Sequence, residues 1–261
     1  MPENDNAHLV LADMTVHPDH RRRGVGTTLL DAVRADVRDP GRTTIEGFQL
    51  PAGRSGEKWA TALGFRVTYA TVMQALVVAD VDLTRWDVAT PAGYRVVHWV
   101  GAAPAELVES YARARRAIQD APLGDTGYQS PARTADQVRA EEAQLRDQGV
   151  EQRVAVAVHE ETGEVAGMSE LYVTPQRPRW GSQRDTAVRA EHRGRGLGTV
   201  VKAHLYRRLL ADRPDVERIH TGTGATNTHM RRVNEAFGFT TVSEMVNVSR
   251  ALDPAPPAPR R

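Results

Sequence analysis

A glycine-rich basic motif of a type that binds phosphate groups occurs twice in the chain. Residues 20–29 read HRRRGVGTTL and residues 192–201 read HRGRGLGTVV, so six of the ten aligned positions are identical. Each copy follows an apolar run that ends in a valine, Val16 or Val188, and each opens an apolar segment with a helical pattern. A strand, a turn of glycines and arginines, and a helix start together make an anion site, because backbone N–H groups and the helix dipole converge there.

A second signal repeats behind each motif at a matched interval. Residues 63–65 read LGF, and Gly64 lies 40 positions after Gly24. Residues 237–239 read FGF, and Gly238 lies 42 positions after Gly196. A single basic, glycine-rich segment is most often a solvated loop, but two motifs repeated in the same order argue for two copies of one fold.

The composition excludes several classes of site. With 261 residues, 40% of them hydrophobic, and a formal net charge of +1, the chain can bury a core but does not attract nucleic acid globally. It has no cysteine, which removes disulfides, thiolate metal ligands and an acyl-cysteine intermediate. Of the 34 basic residues, all but Lys58 and Lys202 are arginine. Since no apolar run reaches membrane length and the start is not a signal peptide, we predict a cytoplasmic protein without metal, membrane or nucleic-acid partners.

Alternating strands and helices must position the two motifs, and the hydrophobic periodicity predicts where they lie. Before a boundary at 90–93 we predict strands at 8–16, 43–50 and 67–81, and helices at 24–37 and 56–63. After it we predict strands at 94–100, 153–159, 165–173, 180–188, 218–223 and 240–250, and helices at 104–118, 135–148, 196–210 and 227–237. The second part therefore has the order βααβββαβαβ, and the fold class is α/β.

The two copies differ in length in front of the motif. From Tyr94 to Gly196 there are 102 residues, whereas only 23 precede Gly24. We therefore predict a partial copy at 1–86 that lacks its front half, a complete domain at 94–252 and a proline-rich, disordered tail at 253–261. The first strand of the partial copy would leave an unpaired edge. We expect either a longer chain upstream of Met1 or a partner, such as the second subunit of a homodimer, that covers this edge.

At this point the residues resemble the GNAT superfamily of N-acetyltransferases. The acetyl-CoA motif of that family, Arg/Gln-x-x-Gly-x-Gly/Ala between a strand and a helix, fits both 21–26 and 193–198. The whole chain resembles a tandem GNAT protein with a truncated first copy, which implies a mixed sheet flanked by helices. The resemblance implies acetyl-CoA as co-substrate, bound by strand end, loop and helix start. The implied CoA-binding residues are Val188, Arg193, Gly194, Arg195, Gly196, Leu197, Gly198, Thr199 and Asn227.

The second family motif, Asn-x-x-Ala-x-x-x-Tyr-x-x-x-Gly-Phe, fits 227–239 in spacing but not in every residue. Met230 replaces the alanine, and Asn234 replaces the tyrosine that usually protonates the departing thiolate in the family. An asparagine can donate a hydrogen bond to sulfur but cannot deliver a proton, so we expect water or the substrate to protonate the thiolate, or a slow enzyme. In the first copy Gly53 and Ala60 stand at the two polar positions, which favours a structural role for that copy.

Transfer to an amine needs a base that removes a proton from the substrate ammonium. Glu170 and Asp185 are the carboxylates inside predicted central strands, where a charge is costly unless it is paired or functional. Pairing with an arginine such as Arg184 is the structural alternative. We predict that Glu170 and Asp185 act jointly, one as the base and the other holding the ammonium, and that Asn234 completes the catalytic set.

The acceptor is predicted to be a primary amine of a small molecule. Acidic residues in and between the early helices favour a cationic amine, although these acids could equally solvate helix ends. They are Asp120, Asp125, Glu141 and Glu142. The alternative from another class is a non-catalytic acyl-CoA-binding or scaffold protein with a degenerate site. A dinucleotide fold is less favoured, because the glycine spacing from Gly194 to Gly198 differs from Gly-x-Gly-x-x-Gly.

Overall fold

The computed structural model describes residues 6–37, 39–120, 124–125, 127 and 133–252 of the chain. The tail predicted at 253–261 lies outside these residues, as does most of the loop between the early helices. The strands are β1 (Leu9–Leu11), β2 (Thr44–Pro51), β3 (Arg66–Val77), β4 (Tyr94–Val100), β5 (Glu151–His159), β6 (Val165–Thr174), β7 (Arg177–Val188), β8 (Arg218–Gly224) and β9 (Thr240–Ala251). The helices are α1 (Val25–Asp36), α2 (Ser55–Ala62), α3 (Val108–Arg115), α4 (Ala135–Asp147), α5 (Leu197–Asp212) and α6 (Thr228–Ala236).

From β4 to β9 the observed order is βααβββαβαβ, as the periodicity predicted. Three predicted elements are shorter than expected. The strand predicted at 67–81 ends at Val77, where a 3₁₀ helix at Val78–Asp80 begins. The strand predicted at 8–16 ends at Leu11, because the ladder to β2 closes with a hydrogen bond from Ala12 N to Glu46 O. The helix predicted at 104–118 is regular only over α3, which a turn precedes and a 3₁₀ helix at Arg116–Asp120 follows.

The chain divides into two compact units. The first comprises Met1–Thr71, Leu123–Pro131 and Ser243–Arg261, and the second comprises Val72–Pro122 and Ala132–Val242. β3 and β9 contribute residues to both units, so the boundaries of the units differ from those of the predicted domains at 1–86 and 94–252. Those two domains were drawn from the repeat of motifs and stay a prediction.

In the first unit the strand order is β1-β2-β9-β3. β1 pairs with β2 in parallel, and β2 pairs with β9 antiparallel. α1 and α2 supply helix residues to its core, which consists of Val10, Leu30, Ile45, Ala60, Phe65, Val246 and Val248.

In the second unit the strand order is β3-β8-β7-β6-β5-β4. The pairs from β4 to β7 are antiparallel, and β7 pairs with β8 in parallel. Alternation along β5 separates two cores, because neighbouring strand residues point to opposite faces. Ala155 and Ala157 belong to the core that includes α5, whereas Val154 and Val156 belong to the core that includes α3 and α4. The unit is therefore a mixed sheet with helices on both faces, which confirms the α/β fold class.

Candidate active site

The glycine motif of the second unit shapes the start of α5. Gly194 and Gly196 have φ of 77° and 74°, a left-handed conformation that L side chains rarely adopt. Gly196 is the N-cap of α5 and offers no side chain to the N–H groups of the first turn. A Cβ built on Gly194 or Gly196 would meet no atom within 4 Å, so the space beside the backbone is open. Uncapped N–H groups, the helix dipole and open space fit the pyrophosphate of a CoA molecule.

The same loop conformation recurs in the first unit, position by position. Gly24 is the N-cap of α1 with φ of 82°, as Gly196 is for α5. Arg21 Nε donates to Val16 O at 2.9 Å, and Arg193 Nε donates to Val188 O at 3.1 Å. A short 3₁₀ helix precedes each motif, at Pro18–His20 and Ala190–His192. The repeat of the sequence is thus a repeat of backbone structure.

The arginines of the second motif already have protein partners. Besides Val188 O, Arg193 contacts the carboxylate of Asp120 in an ion pair. The guanidinium of Arg195 lies over the ring of Tyr94, 5.9 Å from the ring centroid. Leu197 is buried, and Gly198 lies against the methyl groups of Thr186 and Val188. The contact of Arg193 and Arg195 with phosphate therefore stays a prediction that needs them to change partners.

The second motif forms a capped helix in the second unit. Asn227 is the N-cap of α6, and its side-chain oxygen accepts from Met230 N at 3.1 Å. At the other end Phe239 N donates to Asn234 O at 3.1 Å, and in the first unit Phe65 N donates to Ala60 O at 3.0 Å. These bonds place Ala60 and Asn234 at equivalent positions, as the sequence alignment had them.

Asn234 lies in a buried polar cluster. Its amide nitrogen donates to Gln74 Oε1 at 2.9 Å and to Thr223 Oγ1 at 3.1 Å, and its oxygen accepts from Lys202 Nζ. Lys202 is 1% exposed, and its ammonium lies within 5.1 to 5.7 Å of the ring centres of Tyr206, Phe237 and Phe239. Since all its polar atoms have partners, the amide of Asn234 would have to break one of these bonds to reach a sulfur atom.

Burial lowers the pKa of Lys202 to about 7, from 10.5 in the free side chain. Between these values the unfolded chain binds more protons than the folded chain, so stability rises with pH, by at most about 1.4 kcal/mol per pH unit. We expect Lys202→Met to remove this rise, and Lys58→Met, at the exposed second lysine, to keep it. Urea unfolding at pH 7 and pH 9 measures both. An unchanged rise in Lys202→Met would show that the ammonium is not buried as described.

Glu170 is a buried carboxylate on β6, 1% exposed. Its Oε1 accepts from Tyr172 OH at 3.0 Å and from Gln152 Nε2. Its Oε2 has no hydrogen-bond partner among the described residues, and Arg115 Nη2 lies 3.7 Å away. Burial raises the pKa of Glu170, and the charge of Asp185 raises it further, while Arg115 opposes both. A carboxylate in this environment takes up a proton at higher pH than an exposed one, which is a property of general bases.

A bulge in β7 leaves both Arg184 and Asp185 opposite Glu170. The register pairs Ser169 with Thr186 and Leu171 with Gln183, so two residues of β7, Arg184 and Asp185, lie opposite Glu170 alone. With an unbroken register Asp185 would pair with Ser169 and point to the other face, since a slip of one residue inverts every side chain beyond it. The structure thus brings the two predicted carboxylates together, and Asn234 lies in a separate cluster.

The side-chain amide of Gln183 donates hydrogen bonds to residues at this bulge. Its Nε2 donates to Glu170 O at 2.9 Å and to Ser169 Oγ at 3.1 Å. The backbone oxygens of Arg184 and Asp185 lie 3.3 and 3.4 Å from the same nitrogen. The side-chain amide therefore satisfies carbonyl groups that the strand ladder leaves unpaired.

We expect Gln183→Met, which keeps the length of the side chain but removes both donors, to lower turnover by about 100-fold through misplacement of Asp185. The acid limb of the pH profile should also move to lower pH. A displaced Asp185 no longer raises the pKa of Glu170 by its charge. Acetyl-CoA affinity and the circular dichroism spectrum serve as controls for folding. Wild-type turnover and an unmoved acid limb would show that the bulge does not depend on Gln183.

Sequence reasoning missed several residues of this site, although signals were present. Lys202 is one of two lysines in the chain and is surrounded by apolar residues in the sequence of α5. A charged residue in an apolar helical segment indicates a buried charge. Gln183 and Gln152 carried no such signal, because their roles depend on the register of β7 and β5. Arg115 reaches Glu170 from α3, a contact between distant parts of the chain.

Comparison with known proteins supplies the family. A model of the acetyltransferase (GNAT) family matches residues 1–50 and 116–239, which is more than half of the chain. The chain belongs to the GNAT acetyltransferase family. It is accordingly an acyltransferase, and members of this family generally use acetyl-CoA or another acyl-CoA. A comparison with curated proteins found no match.

Two solved structures resemble this GNAT chain over most of its length. A tandem GNAT protein from the clavulanic acid biosynthesis pathway, solved without acetyl-CoA, is 29% identical with a TM-score of 0.80 and covers 96% of this chain and 77% of its own. A GCN5-related N-acetyltransferase from Sphaerobacter thermophilus is 18% identical with a TM-score of 0.66 and covers 92% of this chain and 72% of its own. The tandem organisation predicted from the repeat is thus shared with a solved GNAT protein.

Two further properties follow from the described residues alone. Among them no three histidine, aspartate or glutamate side chains are grouped so that they could hold a metal ion. No helix in the described part of the chain is long and apolar enough to cross a membrane.

Proposed function

We propose that the chain transfers an acetyl group from acetyl-CoA directly to a primary amine of a small molecule. The observation that carries the proposal is the buried carboxylate of Glu170, raised in pKa and opposite Asp185 at the bulge of a strand that leads to the glycine loop. A base at the bulge and an anion site at the end of the same strand are the two parts that this reaction needs. The relative in the clavulanic acid pathway favours a small-molecule acceptor.

In this proposal different residues of the second unit bind the cofactor, hold the amine and accept its proton. The first turn of α5 binds the pyrophosphate, and the strand end at Val188 lies beside the acyl group. Asp185 holds the ammonium, and Glu170 takes one proton from it to free the amine. The amine attacks the thioester carbonyl, an N–C bond forms, the C–S bond breaks, and the second proton that the nitrogen loses passes to water. Water protonates the thiolate, because the amide of Asn234 is already engaged with Lys202, Gln74 and Thr223.

We assign a structural role to the first copy. A Cβ on Gly26, at the start of α1, would lie 3.5 Å from the indole of Trp59, and Trp59 Nε1 donates to Thr27 Oγ1 at 3.3 Å. The equivalent of Trp59 in the second unit is Val233, which is much smaller. An indole beside the helix start leaves less room for a bound cofactor than a valine does.

The second candidate is a scaffold that binds an acyl-CoA without turnover. It is favoured by Asn234, which stands where the family carries a tyrosine and whose amide has no free donor. Calorimetric titration with acetyl-CoA and thiol release over a panel of amines distinguish the two. Heat of binding together with an acetylated product supports the enzyme, and binding without product on any amine supports the scaffold. The predicted homodimer is a separate proposal that light scattering tests.

A further inference from the structure

Three arginines of the second unit form a cluster with two aromatic rings near the candidate base. The guanidinium groups of Arg177 and Arg218 lie 5.1 and 5.6 Å from the ring centre of Trp180, and that of Arg184 lies 5.4 Å from the ring centre of Tyr172. We call Arg177, Arg184 and Arg218 the arginine cluster. Stacking on a ring fixes the plane of a guanidinium and leaves its N–H groups directed outward.

Among the described residues the arginine cluster has no acidic partner. No carboxylate of the described residues lies within 4.0 Å of its three guanidinium groups, although such ion pairs are frequent elsewhere in the chain. Arg179, on the same strand, is paired with Glu217 at 2.6 Å. Burial lowers the pKa of His220, and the charges of Arg177 and Arg184 lower it further. A concentration of positive charge without internal compensation attracts anions.

The arginine cluster lies on the same face as Glu170. Ser182 pairs with Tyr172 on β6 and with His220 on β8, and Trp180 pairs with Arg218. By alternation Trp180, Ser182, Tyr172 and Glu170 share one face of the sheet. Tyr172 contacts both Glu170 and the arginine cluster. Its hydroxyl donates to Glu170, and the guanidinium of Arg184 lies over its ring. The buried Oε2 of Glu170, which accepts no hydrogen bond from the described residues and lies 3.7 Å from Arg115 Nη2, is at the same place.

Three of the four acids that favoured a cationic acceptor have basic partners in the structure. Asp120 pairs with Arg193, Glu141 pairs with Arg115 and Arg133, and Glu142 pairs with Arg139. The cationic acceptor stays a prediction, but these pairs weaken the charge argument for it. The arginine cluster supplies positive charge on the face of Glu170, alongside the negative charge of Asp185.

We propose that the arginine cluster binds an anionic group of the acceptor, a carboxylate or a phosphate, while Glu170 deprotonates its amine. This inference rests on the proposed function and specifies its substrate class. Guanidinium groups bind both anions in a planar, bidentate geometry. A single tyrosine ring separates Arg184 from Glu170, so the amine and the anion belong to one compact molecule such as an amino acid or an aminoalkyl phosphate.

Matched pairs of amines test the proposal. Thiol release at saturating acetyl-CoA is measured for β-alanine against β-alaninamide and for phosphoethanolamine against ethanolamine. We expect the anionic member to be preferred, and Arg184→Gln and Arg218→Gln to raise its KM by about 10- to 100-fold while leaving the neutral member unchanged. Arg179→Gln, whose arginine already has an acidic partner, is the control and should change neither. Equal use of both members, or equal effects of the cluster variants on both, would overturn the proposal.

A binding measurement separates this proposal from the transfer reaction itself. Inorganic phosphate is titrated into the protein while the Nε–H signals of the arginines are followed by NMR. We expect saturable shifts of the signals that Arg184→Gln and Arg218→Gln remove, whether or not any amine is acetylated. No shift with phosphate, or a shift only with single-stranded RNA, would overturn the proposal even if acetyl transfer is observed.

Discussion

Glu170→Gln is expected to lower turnover by about 100- to 10,000-fold, the loss that follows removal of a general base. Glutamine keeps the size of the side chain and can keep the contacts with Tyr172 and Gln152, but it cannot take a proton. Acetyl-CoA affinity should be unchanged, because the anion site at the start of α5 does not contain Glu170. Steady-state kinetics and calorimetry measure the two quantities on the same sample.

The pH profile and a second variant make this assignment specific. Because the pKa of Glu170 is raised, the activity of the wild type should fall as the pH decreases through that pKa, and Glu170→Gln should lack this limb. Asp185→Asn lowers the pKa of Glu170 and should move the limb to lower pH while weakening the binding of the amine. If both variants keep wild-type turnover, the assignment is wrong and the base is water or a histidine.

Gly196→Glu is expected to weaken acetyl-CoA binding by about 100-fold or more, since it removes charge-assisted bonds from N–H groups to phosphate. The new side chain enters open space, so it disturbs the anion site at the start of α5 and not the hydrophobic core. Its carboxylate also offers a competing anion to the start of α5. The change further strains a backbone with φ of 74°, which is why thermal unfolding must be recorded alongside calorimetry.

The repeat supplies a matched control for this variant. Gly24→Glu makes the same change at a glycine with φ of 82° and equally open surroundings in the first unit. If the first copy is structural, Gly24→Glu should leave acetyl-CoA affinity at the wild-type value. A loss in Gly24→Glu with none in Gly196→Glu would assign cofactor binding to the first copy, and no loss in either would exclude both loops.

The sequence by itself determined the family, the element order and the position of the two glycine loops. These features depend on local pattern. Apolar residues recur with the period of a strand or a helix, and glycine stands at positions such as 24 and 196 where the backbone has positive φ. The boundaries were less secure, because the end of β1 depends on where its partner β2 stops pairing, and local pattern does not contain that partner.

Only the tertiary structure decided which side chains meet. One extra residue in β7 leaves Asp185 opposite Glu170, and the amide of Gln183 holds that bulge. Lys202 and Asn234 come from different helices and form one buried pair. Arg193 pairs with Asp120, and Glu141 and Glu142 of α4 pair with arginines. In the described part of the chain no carboxylate pairs with Arg177, Arg184 or Arg218. Register and long-range pairing fix such contacts, and because they join residues far apart in the chain, periodicity along a single sequence does not encode them.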